Sequence, residues 1–178
     1  TNGLVGYWPF NGNANDESGN GNNGTVNGAT LTADRFGEVN KAYSFDGASN
    51  YIEIADNSSL DVASVTVSAW FWAIDYGTVQ QQTQGHILSK REQNGWGNSF
   101  QMALEHSSPI NGIWATYTIG SNGWVAYNSN ADLTIQNWIH VVYTHDNSNA
   151  KLYINGALVS TTSVSGGLSR SEEHTSEL

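Results

Sequence analysis

The chain has 178 residues, a formal net charge of -10 and no cysteine, and Lys and Arg together number only six. Because phosphate binding requires clustered cations, this charge balance argues against nucleic acid as a partner. Without cysteine the chain has no disulfide or thiolate chemistry, and no apolar run reaches the length that insertion into a membrane requires.

The composition is that of many short strands joined by tight turns. Nineteen Gly but only two Pro residues occur, scattered among Asn, Ser, Asp and Thr, which turns also prefer. Seven Trp, eight Tyr and five Phe residues supply large side chains for a core. The composition predicts one all-β domain, since sandwiches of this length stay undivided.

Short extended segments alternate with polar turns in the first third of the chain. Residues 4–8 form an extended apolar segment, and a polar turn region follows at 11–23. Residues 43–45 and 51–54 are predicted strands. The polar loop at 46–50 between them predicts a hairpin.

The strongest strand signal lies at residues 65–74. Side chains alternate between two faces along this segment. One row of side chains consists of Val65, Val67, Ala69 and Phe71, and the row on the opposite face consists of Thr66, Ser68, Trp70 and Trp72. Because both rows end in apolar residues, this strand is predicted to be central in its sheet. Four indole side chains within predicted strands are expected to belong to the core, namely Trp8, Trp70, Trp72 and Trp138.

The second half continues with predicted strands bounded by Gly, Asn or Ser, at 86–90, 100–105, 113–119, 124–127, 138–144 and 151–154. This spacing is typical of a two-sheet sandwich. Asn155 and Gly156 form the strongest two-residue hairpin signal, because both central positions of such a turn need positive φ.

Four segments in chain order carry a family resemblance. They are GLVGYWPFNGNANDESGNGNNG, RFGEVNKAYSFDGASNYIEI, VTVSAWFW and NWIHVVYTHDNSNAKLYINGALV, and they lie between residues 3 and 159. In this order they resemble the laminin-G-like, concanavalin A-like jelly-roll domains of bacterial extracellular proteins. The resemblance implies an all-β sandwich of two antiparallel sheets with jelly-roll connections. It also implies ligands on the concave sheet and rim loops, often with a calcium ion near the rim.

The end of the chain departs from this family. Its members usually finish with one more strand beside the first, whereas this chain passes through residues 165–167 into RSEEHTSEL. Residues 170–178 resemble a translated sequencing adapter, and a disordered acidic tail would have the same composition. We therefore expect a jelly-roll domain over residues 1–169 that lacks its final strand, and no function for residues 170–178.

Oxygen-bearing side chains alternate in the first polar loop, at Asp16, Ser18, Asn20 and Asn22. Such alternation resembles a calcium loop, but an EF-hand is excluded because its twelfth position, Asn27, is not acidic. The four residues are candidates for a family-type calcium site in which Asp16 supplies the main charge. The alternative is a set of Asx turns, in which side chains form hydrogen bonds with the backbone.

Two further indole side chains, Trp96 and Trp124, lie beside glycines, where a loop can present a ring to solvent. Exposed Trp rings bind the C–H faces of sugars, and Arg91 and Asn94 can form hydrogen bonds with hydroxyl groups. These four residues are the predicted carbohydrate site. The alternative is that both rings fold back over the edge of the sandwich.

The sequence does not favour catalysis or a zinc site. A glycosidase needs two carboxylates that face each other across the sugar, but Glu53 and Asp56 fall on opposite sides of a strand end, and Glu105 has no partner acid. No Gly-x-Ser-x-Gly nucleophile turn occurs. His140 and His145 are an odd number of residues apart on one strand, so they are predicted to point to opposite faces.

These observations favour a non-catalytic binding module of a secreted or cell-surface protein. We expect carbohydrate or a cell-surface glycan as its ligand, calcium as an aid to binding, and further domains of a larger precursor as its neighbours. Two alternatives stay open. One is a structural spacer or adhesion domain that recognises protein or no ligand, and the other is a relative of the glycoside hydrolases.

Overall fold

A computed structural model describes residues 3–74, 85–91, 98–107, 110–119, 123–128 and 133–164. Regular structure in these ranges is almost entirely β-strand, as alternation and turn composition predict. The chain divides into two compact units, residues 1–61 and residues 62–178. The all-β prediction is confirmed.

The first unit contains two small antiparallel sheets and one turn of 3-10 helix, Ser58–Leu60. Strand β1 (Gly24–Asn27) pairs with β4 (Tyr51–Ile54), and β2 (Thr30–Thr32) pairs with β3 (Ala42–Ser44). The predicted strands at 43–45 and 51–54 are therefore present. Strands β1 and β2 are short and polar, which is why alternation did not reveal them.

The predicted hairpin between β3 and β4 is wrong, because the two strands belong to different sheets. The loop between them is closed by Asp46, whose Oδ1 accepts hydrogen bonds from the backbone N–H groups of residues 48–50 at 2.9–3.0 Å. These backbone hydrogen bonds lower the pKa of Asp46 to about 2. Because one carboxylate satisfies the N–H groups of the loop, the adjoining strands need not pair with each other.

The second unit contains two four-stranded antiparallel sheets. In sheet I the strand order is β12-β11-β10-β5, formed by β5 (Val65–Trp72), β10 (Trp138–His145), β11 (Asn149–Ile154) and β12 (Ala157–Ser163). In sheet II the order is β6-β7-β8-β9, formed by β6 (Gly85–Arg91), β7 (Asn98–Ser107), β8 (Ile110–Ile119) and β9 (Gly123–Asn128). Each predicted strand in this half of the chain is present, and no bound differs from its prediction by more than three residues.

The apolar core of the second unit is formed by side chains from both sheets. The cluster includes Met102, Leu104, Ile113 and Ala115 of sheet II and Ile139, Val141, Tyr143, Leu152 and Ile154 of sheet I. The predicted inward row of β5, which begins at Val65 and ends at Phe71, packs against this cluster. Two antiparallel sheets that share one core form a sandwich, so this prediction is confirmed.

The exposure of the outward row of β5 contradicts another prediction. Trp70 is 45% exposed and Trp72 is 50% exposed, so their expected burial in the core is wrong, and Trp8 and Trp138 are only half-buried. Alternation separates the two faces of a strand, but it does not say whether a second layer covers each face. The predicted central position is wrong as well, because within the described strands β5 pairs with β10 at the end of its sheet.

The turn between β11 and β12 agrees with its predicted hairpin. Asn155 and Gly156 have φ values of 49° and 82°, as the turn type requires. Asn155 Oδ1 also accepts a hydrogen bond from the backbone N–H of His140 at 2.9 Å. The turn is thereby tied to β10, the strand beside β11.

The two histidines of β10 point to opposite faces, as predicted. His145 is only 1% exposed, and this burial lowers its pKa. His140 is half-buried on the outward face. Strand β10 therefore separates a core side from a surface side along its whole length.

The energetic difference between the two faces of sheet I is testable. Leu152→Ala is expected to lower the free energy of unfolding by about 2–5 kcal/mol, because it leaves a cavity in the core. Trp72→Ala is expected to cost about 1 kcal/mol, since its half-exposed ring loses mainly one aromatic contact. Denaturant unfolding measures both values. Equal losses would show that the two faces are assigned wrongly.

Candidate functional site

The carboxylate of Asp16 organises the first polar loop. Its Oδ1 accepts hydrogen bonds from the backbone N–H groups of Tyr7 and Ser18 at 2.9 and 2.8 Å. Its Oδ2 accepts hydrogen bonds from Ser18 Oγ at 2.8 Å and from the backbone N–H of Asn22 at 3.0 Å. Burial raises the pKa of Asp16, but the hydrogen bonds from Tyr7, Ser18 and Asn22 outweigh it and lower that pKa to about 2.

Amide side chains of the same loop hold the segment at residues 4–8. Asn20 Nδ2 donates to the carbonyl oxygen of Leu4 at 2.9 Å, and Asn22 Nδ2 donates to that of Val5 at 2.8 Å. Side chains of the loop thus satisfy backbone groups that a neighbouring strand would otherwise satisfy. This explains why the extended segment is not a strand in the described structure.

The geometry of this loop is that of the Asx-turn alternative. The structure brings together the predicted metal ligands Asp16, Ser18, Asn20 and Asn22, but the groups directed at the carboxylate are N–H and O–H donors. These donors form hydrogen bonds with the carboxylate oxygens, and the hydrogen bonds would have to break before the same oxygens could bind a cation. In this arrangement the residues do not fit a calcium ion. Calcium binding here stays a prediction that requires the loop to rearrange.

The role of the Asp16 carboxylate predicts a pH dependence of stability. Because its pKa in the folded state, about 2, lies below the ordinary 3.8, its contribution is complete above about pH 4 and is lost as the pH falls toward 2. Asp16→Asn places an NH₂ group opposite N–H or O–H donors and should lower the melting temperature at neutral pH. The difference between parent and variant should shrink on acidification. A difference that does not depend on pH would contradict this role.

Two of the four predicted carbohydrate-binding residues have a described backbone. Arg91 is the last residue of β6, and Trp124 is the second residue of β9. Asn94 and Trp96 lie outside the described residues. The site that these four residues would form stays a prediction.

The strand register brings Arg91 and Trp124 to the same end of sheet II. One row across the sheet is formed by Lys90, Phe100, Tyr117 and Val125, and Arg91 and Trp124 are neighbours of its first and last members. Three strand spacings of about 4.8 Å separate β6 from β9, so the two backbones lie about 14 Å apart.

Aromatic side chains form a surface on the outward side of sheet I. This aromatic face consists of Trp70 and Trp72 on β5 and of Trp138 and His140 on β10. The Trp70 ring stacks on the His140 ring, with centroids 4.7 Å apart and planes inclined by 18°. The Trp72 ring meets the Trp138 ring edge to face at 6.0 Å and 73°. Both pairs are directly opposite in the register, so the backbone ladder fixes the rings in place.

A polar contact borders the aromatic face. Ser68 Oγ lies 2.8 Å from His140 Nε2, diagonally across the β5–β10 pair. The four strands of sheet I contain neither Asp nor Glu. These strands therefore offer no carboxylate for glycoside hydrolysis, and none to orient the imidazole of a Ser–His pair.

A cleft of about 520 Å³ opens where β10 begins and β11 ends. Apolar side chains line part of it, namely Leu133, Ile139, Ile154 and Val159, and polar ones line the rest, namely Thr134, Asn137 and Asn155. Trp138 also lines the cleft. Because Trp138 contacts Trp72, the cleft adjoins the aromatic face.

The alternation in the sequence identified the outward row of β5, but it did not predict that the side chains of this row are exposed. The signal was present in the strand sequence VTVSAWFW, where two Trp residues alternate with a row that packs against the core. Two half-exposed indoles on one strand depart from the usual burial of large aromatic side chains. Only the structure shows that Trp70 and Trp72 are about half-exposed.

A family model described as the concanavalin A-like lectin/glucanases superfamily matches residues 46–176. The match covers about three quarters of the chain. The chain belongs to the concanavalin A-like lectin/glucanases superfamily. The resemblance seen in the sequence is thereby confirmed. The superfamily match also includes most of residues 170–178, whose interpretation as a tail stays a prediction.

The chain is similar in structure to domain 4 of AbnA, a GH43 extracellular arabinanase from Geobacillus stearothermophilus, solved in complex with arabinotriose. The TM-score is 0.66 at 20% sequence identity, and the alignment covers 93% of this chain and 77% of that chain. This similarity shows the fold alone. Together with the superfamily match, the antiparallel sheets form a concanavalin A-like jelly-roll sandwich. A search of curated proteins finds no match. Within the described ranges, no helix has the length and apolar character needed to cross a membrane.

Proposed function

We propose that this concanavalin A-like domain is a non-catalytic module that binds carbohydrate. The observation that carries the proposal is the aromatic face, on which two half-exposed indole rings are held by the rings of the neighbouring strand. The superfamily includes lectins by its description. The structural neighbour, a domain of a carbohydrate-active enzyme, was solved with a bound oligosaccharide.

The physical basis of binding is the contact between flat aromatic rings and the apolar C–H faces of sugar rings. Burial of apolar surface contributes about 25 cal/mol per Å², and rings that are already fixed lose little conformational freedom when a ligand binds. Trp70 is fixed by His140, and Trp72 is fixed by Trp138. Ser68 and His140 supply polar groups beside the rings for hydroxyl groups of the sugar.

The absence of acids from the strands of sheet I supports a role in binding rather than in hydrolysis. Hydrolysis of a glycosidic bond requires a pair of carboxyl groups at the bound sugar. The domain is further proposed to act outside the cell, attached to other domains, as the neighbour does within an extracellular enzyme. Its ligand would then be an extracellular polysaccharide or a cell-surface glycan.

Substitution of the outward indoles tests this proposal. Trp70→Ala and Trp72→Ala are each expected to weaken binding about tenfold or more, which corresponds to about 1.4 kcal/mol. Leu158→Ala is the matched control, because Leu158 is 53% exposed on β12 of the same sheet but lies outside the aromatic face. Calorimetric titration with arabinotriose and affinity electrophoresis in neutral polysaccharides measure the effect.

Other results would assign the ligand elsewhere. Loss of binding in Trp96→Ala or Trp124→Ala, with normal binding in Trp70→Ala and Trp72→Ala, would place the ligand at the end of sheet II. Saturable binding to no sugar would favour the alternative of a spacer or adhesion domain. Circular dichroism of each variant shows whether a loss of binding reflects unfolding.

The calcium prediction has a separate test in melting curves with excess calcium and with chelator. If the Asp16 loop binds calcium, the ion stabilises the folded state and raises the melting temperature, and Asp16→Ala abolishes the rise. If the loop keeps its Asx-turn geometry, the two curves coincide. Sugar affinity measured under the same two conditions shows whether calcium assists binding.

A further inference from the structure

We infer that the ligand is an uncharged oligosaccharide chain that runs from the aromatic face into the adjoining cleft. This inference rests on the proposed function, because it specifies the length and charge of the sugar bound at the same site. Two observations carry it. Trp138 belongs both to the aromatic face and to the lining of the cleft, and the described residues that form the two include no Asp, Glu, Lys or Arg.

Trp138 makes the site continuous. Its ring contacts that of Trp72, and the residue is among those that line the cleft. Trp70 and Trp72 are two residues apart on β5, which separates their Cα atoms by about 6.6–6.8 Å, and β10 lies about 4.8 Å to the side. The surface formed by the three indoles and the cleft is therefore longer than one sugar ring, and it suits a chain of several units.

The cleft has the mixed lining of a sugar subsite. Its exposed apolar residue, Val159, can pack against C–H groups, whereas Leu133, Ile139 and Ile154 belong to the core below it. The amides of the cleft can bind hydroxyl groups. Both amides are already oriented, because Asn155 Oδ1 accepts from the backbone N–H of His140 and Asn137 Nδ2 donates to the carbonyl oxygen of Ile135 at 3.3 Å. Oriented polar groups reduce the entropic cost of binding.

The charge of the site predicts selectivity. The chain contains sixteen Asp and Glu residues, yet the strands of sheet I contain none, and no charged residue is among the described residues that line the cleft. Lys151 of β11 is opposite Thr144 in the register, and it lies about 20 Å along the strand from Trp138 and about 10 Å from Ile154 of the cleft. An acidic polysaccharide would therefore meet a chain of net charge -10, with no Lys or Arg among the described residues of the aromatic face or the cleft lining. A neutral chain does not experience this repulsion.

The experiment compares ligand length and ligand charge in calorimetric titrations. The probes are arabinose, arabinobiose and arabinotriose, with xylotriose and cellotriose as further neutral trisaccharides, xylose and glucose as their monosaccharides, and trigalacturonic acid as the acidic trisaccharide. At least one neutral trisaccharide should bind about tenfold more tightly than its monosaccharide and about tenfold more tightly than trigalacturonic acid.

Asn137→Ala tests the cleft, because this residue lies on an exposed loop outside the strands. It should weaken trisaccharide binding about threefold or more and leave monosaccharide binding on the aromatic face unchanged. Leu158→Ala should change neither, and the melting temperature of each variant checks its folding.

Three results would overturn the inference while the proposed function stands. They are equal affinity for monosaccharide and trisaccharide, tighter binding of trigalacturonic acid, and no effect of Asn137→Ala on trisaccharide binding. Failure of every sugar to bind would instead overturn the proposed function, and the inference with it.

Discussion

The antiparallel pairing of β5 with β10 is the interaction on which the second unit depends. Eight residue pairs, from Trp72–Trp138 at one end to Val65–His145 at the other, fix the register. Because side chains alternate, this register directs one row into the core and displays Trp70 and its neighbours outward. A slip of one residue would exchange the two faces and expose the apolar row. The same backbone ladder therefore stabilises the core and orients the candidate site.

The distribution of acids follows a second constraint, the need to satisfy backbone groups in loops. Asp16 and Asp46 each accept several hydrogen bonds within their own loop, and Asp146 accepts from the N–H groups of Ser148 and Asn149 at 3.0 and 2.7 Å. Backbone hydrogen bonds lower the pKa of Asp146 as well. Three of the sixteen acids thus serve turn structure, while the strands of sheet I contain none.

Features that depend on the local sequence, such as strands and tight turns, were predicted correctly. Burial and strand pairing, which depend on distant parts of the chain, were not. Alternation located β5 and its two rows, and Asn155–Gly156 identified the final hairpin. Burial of Trp70 was not predictable, because it depends on whether another layer covers that face. The partners of β3 and β4 were missed for a similar reason, since the Asp46 carboxylate closes the loop that resembled a hairpin. The cleft combines distant segments, and no local pattern reveals it.

The central claim is that the exposed indoles of sheet I contact the sugar. Proton–nitrogen NMR of the indole N–H groups during titration with arabinotriose or another neutral trisaccharide tests it directly, with each signal assigned by a Trp→Phe variant. The account predicts that the signals of Trp70, Trp72 and Trp138 shift together and saturate with the ligand. Saturation with these three signals unchanged, and with shifts confined to Trp96 and Trp124, would contradict it.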